Sequence, residues 1–104
     1  MIKVSVFYPA KNGEKFDHDY YRDTHMPLVA EQLGTACLRY SIDRGLAGGS
    51  PGEPAPFVAM CDVFSESVES FEAGMASAGH AILADIANFT AIVPVIQISE
   101  IVVP

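Results

Sequence analysis

The chain has 104 residues, half of them hydrophobic, with 6 Lys plus Arg against 13 Asp plus Glu and a formal charge of −7. That length holds one domain, and an electronegative surface repels phosphate backbones and anionic lipid, so nucleic-acid and membrane-surface roles are not expected. A mean hydropathy of +0.26 is high for so small a body, which by itself buries only about 65% of the surface of its unfolded chain. A second copy to cover the excess is the first expectation.

No apolar run approaches the roughly 18–20 residues that cross a bilayer. Met1-Ile2-Lys3-Val4-Ser5 enters a strand pattern directly, without signal-peptide anatomy. Cys37 and Cys61 have neither metal nor redox spacing, so reduced, buried thiols in a cytoplasmic protein are expected.

Ile2, Val4, Val6 and Tyr8 alternate with Lys3, Ser5 and Phe7, which predicts a strand with one buried face, ended by Pro9. Asn12-Gly13 marks a turn. Asp17 fits a helix N-cap with Asp19 in the first turn, and the helix should run to Leu33 and stop at Gly34. Its inward positions read Tyr20 or Tyr21, Thr24 or His25, Leu28 or Val29, and Gln32 or Leu33. Pro27 has no N–H and crowds the carbonyl of Asp23, so a kink or break is expected, with Thr24 to Met26 at a local irregularity.

A second strand is predicted over residues 36–44. Residues 45–56 hold four glycines and three prolines and read as a hairpin connection. Residues 57–64 form a third strand, nearly continuous in apolar residues. Ser65 or Ser67 then caps a helix carrying Val68, Phe71 and Met75. A separate short helix is expected over 80–88 after Ala78-Gly79, and a last strand over 92–103.

The order is βαββαβ, a ferredoxin-like α+β fold with a four-stranded antiparallel sheet and both helices on one face. Strand 3 reads as apolar on both sides, so the uncovered face is expected to meet a second copy about a two-fold axis. Each subunit would keep a cavity between helices and sheet.

His25 is the sharpest chemical candidate, one turn after Tyr21 and two residues before Pro27. An imidazole with an ordinary pKa near ~6.5 can give or take a proton near neutrality. The plainer alternative is a core histidine bonded to a carbonyl that Pro27 frees. The segment Phe16-Asp17-His18-Asp19-Tyr20-Tyr21-Arg22-Asp23-Thr24-His25-Met26-Pro27-Leu28 resembles the signature of the EthD family: an aromatic pair, then histidine, one residue, proline and leucine. Ala84-Asp85-Ile86-Ala87-Asn88-Phe89-Thr90 resembles that family's second landmark. The resemblance implies a dimeric α+β barrel, on which relatives include lactone isomerases, polyketide cyclases, cofactor-free monooxygenases and haem-handling proteins. The family takes its name from a gene cluster that degrades a tertiary-alkyl ether beside a cytochrome P450 system. Such membership specifies fold far better than reaction.

His25, Tyr21 and Asp85 are the expected catalytic residues. Tyr21 would hydrogen-bond a substrate oxygen. Asp85, flanked by Leu83 and Ile86, would be partly buried and paired with His80 or His25, orienting the ring. Tyr40, His80, Phe64 and Leu28 are the expected substrate-binding residues. Scattered histidines argue against a metal site, no cofactor is expected, and the guest should be a small apolar metabolite. The expected activity is cofactor-independent proton transfer. The alternatives are an accessory binding protein for a partner oxygenase and a single-histidine haem protein.

Overall fold

A computed structural model describes all 104 residues and has strands β1 (Ile2–Pro9), β2 (Arg39–Arg44), β3 (Phe57–Ser65) and β4 (Val95–Glu100). They form one antiparallel sheet in the order β2-β3-β1-β4. Helix α1 comprises three consecutive segments: His18–Tyr20, a π-helical turn Tyr21–His25, and Met26–Leu33. Helix α2 spans Val68–Asp85 and tightens into a 3₁₀ turn, Ile86–Asn88. No helix is long and apolar enough to cross a membrane.

The helices share one face of the sheet, as the βαββαβ order requires. The register pairs Val4 with Val63 and Ile98, and Tyr40 with Val63, so even positions of β1, β2 and β4 share a face with odd positions of β3. Val4, Tyr8, Ala59, Cys61 and Val63 are buried there beneath Met26, Val29 and Leu33 of α1 and Ala78 and Ile82 of α2. Helical cover stops short of β4. Ile96 on the same face remains 53% exposed.

The opposite face is mixed in character, where strand 3 had read as apolar on both sides. Asp62 occupies its centre and accepts a hydrogen bond from the buried Ser5 hydroxyl. Arg39 lies 3.8 Å over the Phe64 ring. Phe7 and Met60 pair in the next row, beside Val95.

Several boundaries differ from the sequence reading. Asp17 does cap α1, accepting from the Tyr20 amide at 3.0 Å. Pro27 neither breaks nor ends the helix. Its missing N–H leaves the Asp23 carbonyl without an α-helical donor, and the preceding turn widens so that the Met26 amide reaches Tyr21 O. Residues 34–36 form a 3₁₀ turn, so β2 begins only at Arg39. Ser67 caps α2 by accepting from the Ser70 amide, while Ser65 is buried in β3. Gly79 does not interrupt α2, because packing carries the helix through it, so no second helix starts at His80. The last strand ends at Glu100, where its pairing with β1 ends.

Gly74 lets α2 approach the 34–36 turn. A Cβ built there would sit 2.7 Å from Ala36 Cβ, whereas one at Gly79 meets only the flexible end of Met75 at 3.3 Å. Both positions would gain helix propensity from alanine, about 1 kcal/mol. The overpacking cost of about 1–3 kcal/mol falls on Gly74 alone. Thermal unfolding should therefore show Gly74→Ala melting below Gly79→Ala by about 4–8 °C or more; equal melting temperatures would contradict the close approach.

Candidate functional site

An apolar cavity of about 130 Å³ lies between the helices and the sheet. β1 contributes Val4, Val6 and Tyr8 to its wall, β3 contributes Cys61 and Val63, and α1 contributes Tyr21, His25, Met26, Val29 and Leu33. Phe71, Met75, Ile82 and Ile86 close it from α2, and Pro94 and the exposed Ile96 mark its way to the surface beside β4.

The π turn sets the key side chains. A wider turn brings Tyr21, His25 and Met26 together on the inward face. The Tyr21 and His25 rings stack at 5.7 Å with an interplanar angle of 14°. Phe89 packs against His25 at 4.5 Å and joins Tyr8, Phe16 and Tyr20 in an aromatic cluster. Backbone pairing fixes this end of the fold: Asp17 N–H donates to Phe89 O, and the Thr90 hydroxyl donates to Lys15 O.

His25 is only 3% exposed. Its Nδ1 lies 2.9 Å from Asp85 Oδ2. Tyr20 Oη donates to Asp85 Oδ1 at 2.7 Å, and Asn88 Nδ2 donates to the same oxygen at 2.9 Å. Burial raises the Asp85 pKa, but the hydrogen bonds from Asn88, His25 and Tyr20 outweigh it and hold the carboxyl below its usual range. An ionised carboxylate only accepts, so Nδ1 carries the proton and Nε2 is the open nitrogen of a cavity-lining imidazole. Burial pulls the His25 pKa below its ordinary value, and Asp85 opposes this only partly. A neutral, oriented base results.

Tyr21 is 1% exposed, and its hydroxyl has no hydrogen-bond partner. Burial, then the neighbouring Cys61, raises its pKa far above the ordinary value, so the phenol stays protonated. Cys61 is itself pushed up to about 11, chiefly by burial. Its thiol is a weak acceptor that does not meet hydrogen-bond geometry with the phenol.

Of the residues singled out from sequence, His25, Tyr21 and Asp85 converge at one place. The others do not join them. Phe64 is on the opposite face of the sheet under Arg39, because its register places it one residue out of phase with Val63. His80 is exposed in the middle of α2, with no contact to Asp85. Leu28 is half-buried outside the cavity wall, where Val29 takes the inward position. Tyr40 packs against the core from β2 without lining the cavity. Cys37 is half-buried, not buried. Sequence reasoning missed Tyr8, Tyr20 and Asn88. Tyr8 had a usable signal, as the inward aromatic at the end of an alternating strand. No group of three or more His, Cys, Asp or Glu side chains is arranged to hold a metal ion.

Fold and site together define a ferredoxin-like α+β domain with a histidine–carboxylate pair facing an apolar cavity. Residues 13–92 match the EthD domain, and the chain belongs to the EthD family. A solved EthD-like protein from Ralstonia eutropha JMP134 is 54% identical, with 98% of this chain and 92% of that one covered and a TM-score of 0.94. An EthD family protein from Bacillus halodurans C-125 is 24% identical, covering 96% of this chain and 97% of that one, with a TM-score of 0.73. A protein described as an antibiotic biosynthesis monooxygenase shares the fold at 14% identity, full coverage of both chains and a TM-score of 0.52. No curated protein matches.

Two measurements check this geometry. Tyr21→Phe removes a buried, unpartnered hydroxyl and should stabilise the protein by about 1 kcal/mol, read as a higher Tm; a lower Tm would mean that the hydroxyl has a partner. By NMR titration, His25 should titrate below ~6.5, its unfolded value. Stability from neutral His25 is then present above that pH and lost as pH falls through the folded value. Asp85→Asn removes the charge that holds the imidazole up, so its midpoint should fall further; a rise would contradict the pairing.

Proposed function

We propose that this EthD-family protein is a cofactor-independent enzyme that moves a proton on a small apolar metabolite, with His25 as the base. The observation that carries this reading is the 2.9 Å contact of Asp85 Oδ2 with His25 Nδ1, which commits one ring nitrogen and leaves Nε2 for the guest. Pairing a buried histidine with a carboxylate selects the tautomer and stabilises the imidazolium that forms on proton uptake. Tyr20 and Asn88 position Asp85, and the Tyr21 ring stacks on that of His25.

A carrier that delivers such a metabolite to a partner oxygenase would use the same apolar cavity. That reading gives the Tyr20–Asp85–His25 arrangement only the task of joining the two helices. A homodimer belongs to the proposal as well. Its support is the sheet face left without helices and the exposed Val95, Ile96 and Ile98 of β4 beside the cavity mouth.

The test begins with mass spectrometry of small molecules retained on natively purified protein. Those molecules are then incubated with the protein in D2O and followed for deuterium uptake. His25→Ala should lower the rate by about 10²-fold or more. Asp85→Asn should lower it less and shift the acid limb of the pH profile downward. A folded His25→Ala protein with an undiminished rate would refute the assignment.

A further inference from the structure

The cavity also restricts its guest, through size, charge and the one open nitrogen on its wall. We propose that it takes an uncharged molecule built on a single six-membered ring, whose hydroxyl, on unsaturated carbon, donates to His25 Nε2. A phenol is the simplest such guest. This rests on the reading of His25 as a proton acceptor and names the guest class for it.

Size comes first. A volume of about 130 Å³ is close to the roughly 150 Å³ of an engineered apolar cavity that accepts benzene. Charge comes second. No Lys, Arg, Asp or Glu lines the cavity, so a carboxylate or phosphate would lose its hydration without gaining a counter-charge. The chain's formal charge of −7 disfavours anions further.

The open nitrogen is the most specific constraint. Asp85 occupies Nδ1, and the Tyr21 and Phe89 rings pack against the imidazole. The buried side-chain polar atoms without a partner are Tyr21 Oη and Ser65 Oγ alone. Nε2 bonds no protein group and is not among them, so it keeps accessible surface, and His25 is part of the cavity wall. The Tyr21 hydroxyl, by contrast, is sealed from any guest.

A guest that displaces water from Nε2 must supply a donor or leave the acceptor unpaired. A hydrocarbon offers none, and an ether or ketone oxygen only accepts. A hydroxyl meets the need. The base reading then sets the carbon that bears it. A phenol such as that of tyrosine has a pKa near ~10, within reach of an imidazole base, whereas a hydroxyl on saturated carbon hardly ionises in water. Tyr8 and the Cys61 thiol also line the cavity, but burial raises the pKa of each, so both stay protonated. Neither rivals the imidazole as an acceptor.

The experiment titrates the full-length protein at neutral pH with phenol, toluene, anisole and benzoate, observed by NMR. In wild-type protein labelled with 15N-histidine, phenol should move the unprotonated Nε2 signal toward the protonated position. Toluene and anisole should not, and this arm needs no variant. His25→Leu should lower the ratio of phenol to toluene affinity by about tenfold or more, with an intact amide spectrum as the folding control. An unchanged ratio overturns the proposal. So does a ratio that falls equally in Tyr8→Phe, an Nε2 signal that phenol leaves in place, an absence of phenol binding, or tighter binding of benzoate. The base role is read separately, from His25-dependent deuterium uptake into the molecules retained on the native protein. Loss of that uptake refutes the base and leaves a positive phenol result standing; uptake with a negative phenol result refutes the guest class alone.

Discussion

The carboxylate of Asp85 is the point on which the site depends. It stands at the end of α2 and gathers three donors: Tyr20 and His25 from α1, and Asn88 from the turn that follows it. The two helices are thereby tied together. A carboxylate so satisfied stays ionised at any ordinary pH, and an ionised carboxylate can only accept. That condition fixes the proton on His25 Nδ1 and leaves Nε2 without one.

The π turn is what allows this arrangement in a short helix. Pro27 removes one donor from the ladder, and the chain accommodates the loss by widening the turn before it. Tyr21 and His25 consequently stack side by side toward the cavity while Tyr20 turns toward Asp85. Irregular backbone and the alignment of these three side chains are thus one event. The unpartnered Tyr21 hydroxyl is a local cost borne at the same place.

Much of this was legible in the residues. The alternation Ile2-Val4-Val6-Tyr8 and the Asp17 cap gave the first strand and helix, and element order gave the sheet topology. His25 and Asp85 stood out because a titratable group among apolar neighbours needs a partner. Face assignments were harder. Phe64 and Leu28 each lie one residue from the inward position, and in strands nearly apolar on both sides, periodicity cannot say which face is which. Gly79 suggested a helix break because propensity is local, whereas packing against α1 carries α2 through it. Tyr20 could not be chosen over Tyr21 from spacing, since the π turn changes the angle per residue. Tyr20 bonds Asp85, and Tyr21 stacks on His25. The EthD resemblance indicated the architecture and was silent on the pairing of Asp85 with His25 over His80.

Neutron diffraction from deuterated crystals near pH 7.5 would test the central claim most directly, because it sees the proton itself. The account predicts deuterium on His25 Nδ1, pointing at Asp85 Oδ2, and a bare Nε2. Deuterium on Nε2, whether alone or together with Nδ1, would contradict it.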